Sequence, residues 1–489
     1  MGLSERIGAV AALDPAAPVL EFDGRWRTWG DLGATIDAVA ALVPSPGTEV
    51  GILLRNRPAS VGLLLGVLRA GGCVVTVNPG RGDDRTREDL AALDLPFVAG
   101  EPADLDRFAG PDLRAVRLST DDLGSGLRTS PSGETSGAQD DGGVAVRMLT
   151  SGTTGPPKRV DLPYRMLERV LAGAKHYESD RAAELRLRTG VAIVNSPLVH
   201  LGGLFRVLQC VNDGRSFALL ERFTVDGWVD AVRRHRPATA SLVPAALRMV
   251  LEADVDAADL ASLRSVVSGT APLSPDDADA FTARFGVPVL VSYAATEFGG
   301  GVAGWTVADH RAFWATKRGS VGRAHPGCEL RVVSPDSDSV FGPDEEGLLE
   351  VRAAQLGDEA GWVRTTDLAR IDADGFVWIL GRADQAIIRG GFKVRPDDVR
   401  AALERHPRVR GAAVVGRPDG RLGAVPVAAV ELRPDASGIT PQELLDHLAT
   451  QLARYELPTD IRIVEELPRT PAGKPDLAGV GALFATEEP

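Results

Sequence analysis

Thr150-Ser151-Gly152-Thr153-Thr154-Gly155-Pro156-Pro157-Lys158 places four hydroxyls, two glycines and a lysine within nine residues. The stretch follows directly on the largely apolar run Val144–Leu149. Glycine lets a backbone turn tightly and bring its N–H groups close to a ligand. Hydroxyls and a lysine add donors for anionic oxygens. The spacing is not that of a Walker A loop, because no Ser or Thr follows Lys158 and the second glycine stands three residues before it. Taken alone, the stretch reads either as a phosphate cradle or as a Ser/Thr/Gly-rich surface turn.

Around it the chain alternates strands and helices. Val50–Leu54, Ala59–Arg69 and Cys73–Val77 read as strand, helix and strand, a βαβ unit that implies a parallel sheet. Further strands are expected at Val191–Asn195, Ala238–Val243, Leu263–Ser268 and Val287–Ser292, each running into a small or polar loop. Ligands sit at the carboxyl ends of strands in open α/β sheets, so these loops are expected to converge on one site. Asp121–Gly143, rich in Ser, Gly, Asp and Thr, reads as a flexible surface insertion. Beyond residue 318 come short strands at Glu329–Val333, Gly347–Val351 and Gly375–Leu380. A compact α+β pattern follows, with strands at Ala386–Ile388, Ala412–Val415, Val425–Leu432 and Ile461–Val464, and helices at Pro396–Glu404 and Pro441–Leu452.

At 489 residues the chain is expected to hold about two to four domains. Its hydrophobic content of 44% and charged content of 25% are those of a soluble globular protein. A net charge of −13 argues against nucleic acid as a partner. The N-terminus lacks a signal-peptide layout. The most apolar stretch, Val61–Val77, contains Arg69 and two glycines and reads as core, not as a membrane span. Cys73, Cys210 and Cys328 lie far apart and read as reduced, buried thiols of a cytoplasmic protein. Only five of the 54 basic residues are lysines, and Lys158, Lys393 and Lys474 fall in segments that look chemical. A compact ammonium and a guanidinium are not interchangeable at a phosphate or carboxylate.

Six segments in order resemble the adenylate-forming superfamily of acyl-CoA synthetases, luciferases and peptide-synthetase adenylation domains. They are Thr150–Lys158, Pro197–Gly203, Tyr293-Ala-Ala-Thr-Glu297, Thr365-Thr-Asp367 with Gly381-Arg-Ala-Asp384, Arg389–Val394, and Pro468-Arg-Thr-Pro-Ala-Gly-Lys474. The resemblance covers nearly the whole chain. It implies an α/β fold: a large N-terminal domain, residues 1–383, with βαβ-layered sheets and a small β region, then a smaller mobile α+β C-terminal domain, residues 384–489. It also implies that ATP, with Mg2+, activates a carboxylic acid as acyl-AMP.

Both reactants are anions, so the site must supply positive charge and donors. By the resemblance, Thr150, Ser151, Gly152, Thr153, Thr154 and Lys158 hold the β- and γ-phosphates. Thr296 takes the α-phosphate, Glu297 the Mg2+, and Tyr293 stacks on adenine. A packed core tyrosine is the alternative for Tyr293. Asp367 and Arg382 are expected on the ribose, although an Asp after two Thr is also a common helix cap. Gly269 and Ala271 fall among the cofactor-binding positions. Lys474 is the expected adenylation lysine and Asp384 the hinge. Rotation about that hinge would withdraw Lys474 and bring in the Arg389–Lys393 loop, with Lys393 contacting phosphate in one state.

His200 either lines the acid pocket, takes a proton from an incoming amine, or is a hydrogen-bonded core histidine. The acid pocket is expected among His200–Phe205, Gly269–Leu273 and Tyr293–Gly304, which favours a bulky aromatic or apolar monocarboxylic acid. Two departures stand out, Ala294 where the family usually has Gly and Gln385 where many relatives carry a second Asp. No pantetheine-bearing carrier domain is read in residues 475–489, so the acceptor is expected to be CoA. The rival is a free amine, which would make the protein an amide-bond synthetase.

Overall fold

The computed structural model describes residues 1–110, 113–130, 143–150, 158–173, 185–434, 436, 438–470 and 473–485. The expected phosphate-loop residues Ser151, Gly152, Thr153 and Thr154 lie outside the described residues.

The first βαβ unit forms as strand Glu49–Leu53, helix Pro58–Arg69 and strand Cys73–Val77, the strands pairing in parallel with Val50 opposite Val74. Every residue of the helix from Pro58 to Leu68 is buried. An all-round apolar helix is stable only when it is covered on every side. It lies in the largest hydrophobic cluster, with Ile7, Trp29, Ile36, Leu204 and Phe217. Among the described residues no helix is long and apolar enough to cross a membrane.

These strands belong to a seven-stranded sheet ordered Arg128–Thr129, Val116–Ser119, Phe97–Gly100, Glu49–Leu53, Cys73–Val77, Val144–Thr150 and Lys158–Pro163. Its interior is parallel and its two edges antiparallel. Arg128–Thr129 corrects the expectation of a flexible insertion from Asp121. Leu123 is buried, and Arg27 pairs with Asp122 at 2.6 Å. An apolar anchor, ion pairs at Asp121 and Asp122, and the Gly124 N–H donated to Thr35 Oγ1 at 2.9 Å hold a segment whose composition reads as loop. Residues 131–142 of that insertion lie outside the described residues.

A second sheet joins Arg188–Val194, Arg215–Leu219, Pro18–Phe22 and Arg25–Thr28. A third runs Thr239–Ser241, Ser265–Ser268 and Val289–Ala295 in parallel, then Gly300–Gly304 and Arg323–Ala324 antiparallel. Residues 328–382 form an antiparallel meander of four strands, Cys328–Val333, Glu346–Ala353, Val363–Ile371 and Val377–Arg382.

The smaller C-terminal domain has its own sheet. The long hairpin Val409–Asp419 with Gly423–Leu432 is flanked by Ile387–Arg389 and Asp460–Val464, and Phe392–Val394 pairs with Ile387–Arg389. Helices Pro396–Glu404 and Pro441–Ala449 cover it over a core of Val399, Leu403, Val414, Val430 and Leu444. The fold is therefore mixed α/β, with a large N-terminal and a smaller C-terminal domain. Cys73 and Cys210 are buried, but Cys328 is only half-buried, near Gln355, because it opens a strand at the edge of its sheet.

Candidate active site

Ser265–Ser268 and Val289–Ala295 run in parallel with Ser268 opposite Val291, so their carboxyl ends lie on the same side of the sheet, where the rule for parallel sheets places a ligand site. The first runs into Gly269–Ala271. The second runs into a short turn, Thr296–Phe298, which buries Phe298 and leaves Glu297 exposed.

Asp367 lies on Val363–Ile371 directly opposite Arg382, so it sits in a strand and not at a helix cap. Tyr293 reaches across from the third sheet and donates its hydroxyl hydrogen bond to Asp367 Oδ2. Burial raises the Asp367 pKa, while the Tyr293 hydrogen bond and the Arg382 charge act against that rise. Burial likewise raises the Tyr293 phenol, and the Asp367 charge adds to it. Arg382 makes a bidentate pair with Asp384, Nε to Oδ1 at 2.9 Å and Nη2 to Oδ2 at 2.6 Å. That contact holds the Asp384 carboxyl below its usual range.

Lys474 arrives from the C-terminal domain on a closed loop. Thr470 N donates to Lys474 O at 2.7 Å, Gly473 N to Thr470 O at 2.8 Å, and Asp476 N to Pro468 O at 2.8 Å. Burial lowers the Lys474 ammonium below its ordinary value. Arg382 acts in the same direction, and the charges of Glu297 and Asp367 oppose it. The lysine is thus held among the groups the sequence motifs single out.

His200 precedes helix Leu201–Asn212, and its side chain does not cap it. Its Nε2 is buried without a hydrogen-bond partner. Burial, reinforced by the charge of Lys474, lowers its pKa to about 4, so the imidazole is neutral at pH 7. The core-histidine alternative required a hydrogen bond that this nitrogen does not make.

Lys474, Thr270 and Ala271 line one cavity of about 60 Å3 between the domains, and Gly269 lies against Ser292. Thr150 and Lys158 are register partners in the antiparallel pair Val144–Thr150 and Lys158–Pro163. Lys393 stands instead exposed on the hairpin of Ile387–Arg389 and Phe392–Val394.

The motifs do not point to His325. A Cβ on Gly304 would come within 2.5 Å of its Nε2, and one on Gly301 within 3.1 Å of its Cε1. The imidazole therefore rests on the strand Gly300–Gly304, and burial lowers its pKa. The two glycines three residues apart, followed by one of only seven histidines, were the available signal.

With this geometry in view, the family model "AMP-binding enzyme" matches residues 8–358 and "AMP-binding enzyme C-terminal domain" matches residues 398–474. The chain is 30% identical over 506 residues to the indoleacetate–CoA ligase of Aromatoleum aromaticum, covering 97% of this chain and 96% of that one. It is 29% identical over 465 residues to 4-coumarate–CoA ligase 1 of Oryza sativa subsp. japonica, covering 88% and 81%. Among solved structures, ATP-bound MatB from Rhodopseudomonas palustris shares the fold with a TM-score of 0.83 at 24% identity, covering 99% of each chain. The amide bond synthetase McbA from Marinactinospora thermotolerans superposes with a TM-score of 0.79 at 25% identity, covering 99% of this chain and 100% of that one.

Proposed function

Because the chain belongs to the AMP-binding enzyme family, we propose that it is an ATP-dependent ligase that converts a carboxylic acid to its acyl-adenylate. The carboxylate oxygen attacks the α-phosphorus of ATP and pyrophosphate leaves. An acceptor then attacks the acyl carbon and releases AMP. The observation that carries this reading is Lys474, which lies within the electrostatic reach of Glu297, Asp367, Arg382 and His200. An ammonium in that position screens the repulsion between the carboxylate and the α-phosphate as they approach.

In this reading Thr150–Lys158 cradles the β- and γ-phosphates and Thr296 the α-phosphate. Asp367 and Arg382 take the ribose, and Tyr293 offers its ring to adenine while its hydroxyl fixes the Asp367 carboxylate. Gly269 and Ala271 line the junction of the nucleotide and acid pockets. Among the described residues no three His, Cys, Asp or Glu form a metal cluster. A single exposed Glu297 beside the phosphates suits Mg2+, which binds through one or two carboxylates plus phosphate oxygens and would offset phosphate charge there. Residues 1–383 and 384–489 are the two moving units, with Asp384 as hinge. Rotation would exchange Lys474 for the Arg389–Lys393 loop and its Lys393.

We take CoA as the acceptor and an aromatic or otherwise apolar acid as the substrate, in the cytoplasm. The 4-coumarate and indoleacetate ligases among the relatives support both choices of substrate chemistry. One feature favours a second reading, in which a free amine captures the adenylate. His200 is neutral, and its unpartnered Nε2 is free to accept the amine proton. Acid-dependent AMP and pyrophosphate release over aryl and alkyl acids tests both. A thioester formed only with CoA supports the first reading; an amide formed at enzyme-dependent rates without CoA supports the second.

A further inference from the structure

The seam between the domains carries a chain of ion pairs that the chemistry above does not use. Helix Pro244–Glu252 of the large domain places Arg248 and Glu252 one turn apart on one face. Val243, just before the helix, lies 3.7 Å from where a Cβ on Gly473 would stand, beside Lys474. A carboxylate at a helix C-terminus opposes the helix dipole unless cations meet it. Here Arg410 of the C-terminal domain meets Glu252 with Nε at 3.2 Å and Nη2 at 2.8 Å, and Arg433 lies at 4.0 Å.

Arg410 passes the contact inward. Its Nη1 donates to Glu431 Oε1 at 2.6 Å, and the Glu431 side chain is only 1% exposed. Glu431 Oε2 in turn accepts from Leu467 N at 3.1 Å and Arg469 Nη2 at 3.2 Å. Arg469 Nη1 donates to Gly473 O at 3.4 Å, the residue next to Lys474. A second contact runs beside it. Arg248 pairs with Asp277 in its own domain and reaches Glu404 of the other at 3.5 Å. Gly411 makes room for this, because a Cβ there would stand 3.3 Å from Leu467 Cδ1 and 3.5 Å from Arg248 Nη1.

Exposed ion pairs contribute little. A buried carboxylate that also holds a backbone N–H is different, since removing one partner leaves its charge uncompensated. We infer that Glu252, Arg410 and Glu431 are positioning residues that dock the C-terminal domain so that the Lys474 loop enters the adenylation site. The inference rests on the role proposed for Lys474. Its consequence is selective: the interdomain contact of Glu252 serves the step that needs Lys474 in place and is dispensable once acyl-adenylate exists.

The test compares wild type with Glu252→Gln, Glu252→Arg and Arg410→Lys, each first checked for an unchanged melting profile. Glu252→Gln should slow acid-dependent pyrophosphate–ATP exchange about tenfold, the effect of one to two lost charged contacts on a barrier. AMP release from supplied acyl-adenylate, with the wild-type acceptor, should stay within about twofold. Arg410→Lys, which keeps the charge but loses the fork, should fall between wild type and Glu252→Gln. Labelling by an amine-directed reagent, read by mass spectrometry, needs no activity. Lys474 should label several-fold faster in Glu252→Arg, which sets a third cation against Arg410 and Arg433, while Lys393 labels at its wild-type rate. Equal loss in both half-reactions, no loss in either, or unchanged Lys474 labelling would overturn the inference. Wild type silent towards every acid, with Lys474 labelling still shifted, would overturn the adenylation reading and leave the docking role standing.

Discussion

Two clusters of charge meet at the domain boundary, and they are built on opposite plans. In the docking seam, Glu252, Glu404, Glu431, Arg248, Arg410 and Arg469 each have a counter-charge, and Glu431 has three donors. In the candidate site, His200 Nε2 has no partner, and Lys474 and Asp367 have both been pushed towards their neutral forms by burial. A saturated cluster fixes geometry. An undersatisfied one keeps its interaction strength for a ligand that supplies the missing charge. The contrast assigns placement to one cluster and chemistry to the other.

The largest effect that would break or sharpen this contrast is Lys474→Ala. Loss of one preorganised electrostatic donor costs about 10²–10³ in rate. Acyl-adenylate formation should fall by that much in single-turnover assays, with use of supplied acyl-adenylate preserved. Next comes Glu431→Ala in the saturated cluster, which leaves Arg469 without its counter-charge and the Leu467 N–H without its acceptor, while Arg410 keeps only Glu252. Removing one partner of a buried pair costs about 3 kcal/mol. The loss should appear as a lowered urea midpoint, whereas His200→Ala, which breaks no hydrogen bond, should move it far less. Tyr293→Phe should have a smaller effect. Loss of one hydrogen bond to a carboxylate is worth about 1.5 kcal/mol, to be read as a raised KM for ATP with the KM for acid unchanged.

The smallest expected effects are pH-dependent. The Lys474 pKa is lowered from 10.5, so its charge is lost as pH rises through that lowered value. Exchange activity should therefore decline on the alkaline side earlier than an ordinary lysine dictates. His200 is neutral down to about pH 4 in the folded chain and to about 6.5 when unfolded. Its folded pKa is depressed, so the stability it contributes is present above pH 6.5 and is lost as pH falls towards 4. If His200 is a base for amine capture, that step should show no acid limb near 6.5 beyond the titration of the amine itself.

The parts of the molecule that were legible in sequence are those where a local pattern meets one structural need. Cys73–Val77 and Pro396–Glu404 fall where periodicity and Pro at a helix start place them. Ser274 caps its helix by accepting from Asp276 N, as its position before Pro275 implies. Strand ends were blurred by up to four residues, as where the strand expected at Ala412–Val415 runs from Val409 to Asp419, because pairing and not composition decides where a ladder stops. The helix expected to reach Leu452 ends at Ala449, where Thr450 turns back to bond the His447 carbonyl. Motif order brought Lys474, Glu297, Asp367 and Arg382 to one place. It did not reveal the Tyr293–Asp367 contact, the bidentate Arg382–Asp384 pair, or the seam from Glu252 to Glu431. Those join residues 74, 2 and 179 positions apart, and the longer pairings leave no periodic trace in the chain.

The most direct test of adenylation through Lys474 is single-turnover formation of acyl-AMP, resolved by mass spectrometry, from ATP, Mg2+ and a panel of aryl and alkyl acids. Wild type and Lys474→Ala would be compared with no acceptor present. Acyl-AMP accumulating with at least one acid in wild type and absent in Lys474→Ala is the predicted result. Acyl-AMP formed equally by both proteins, or by neither with any acid, would contradict it.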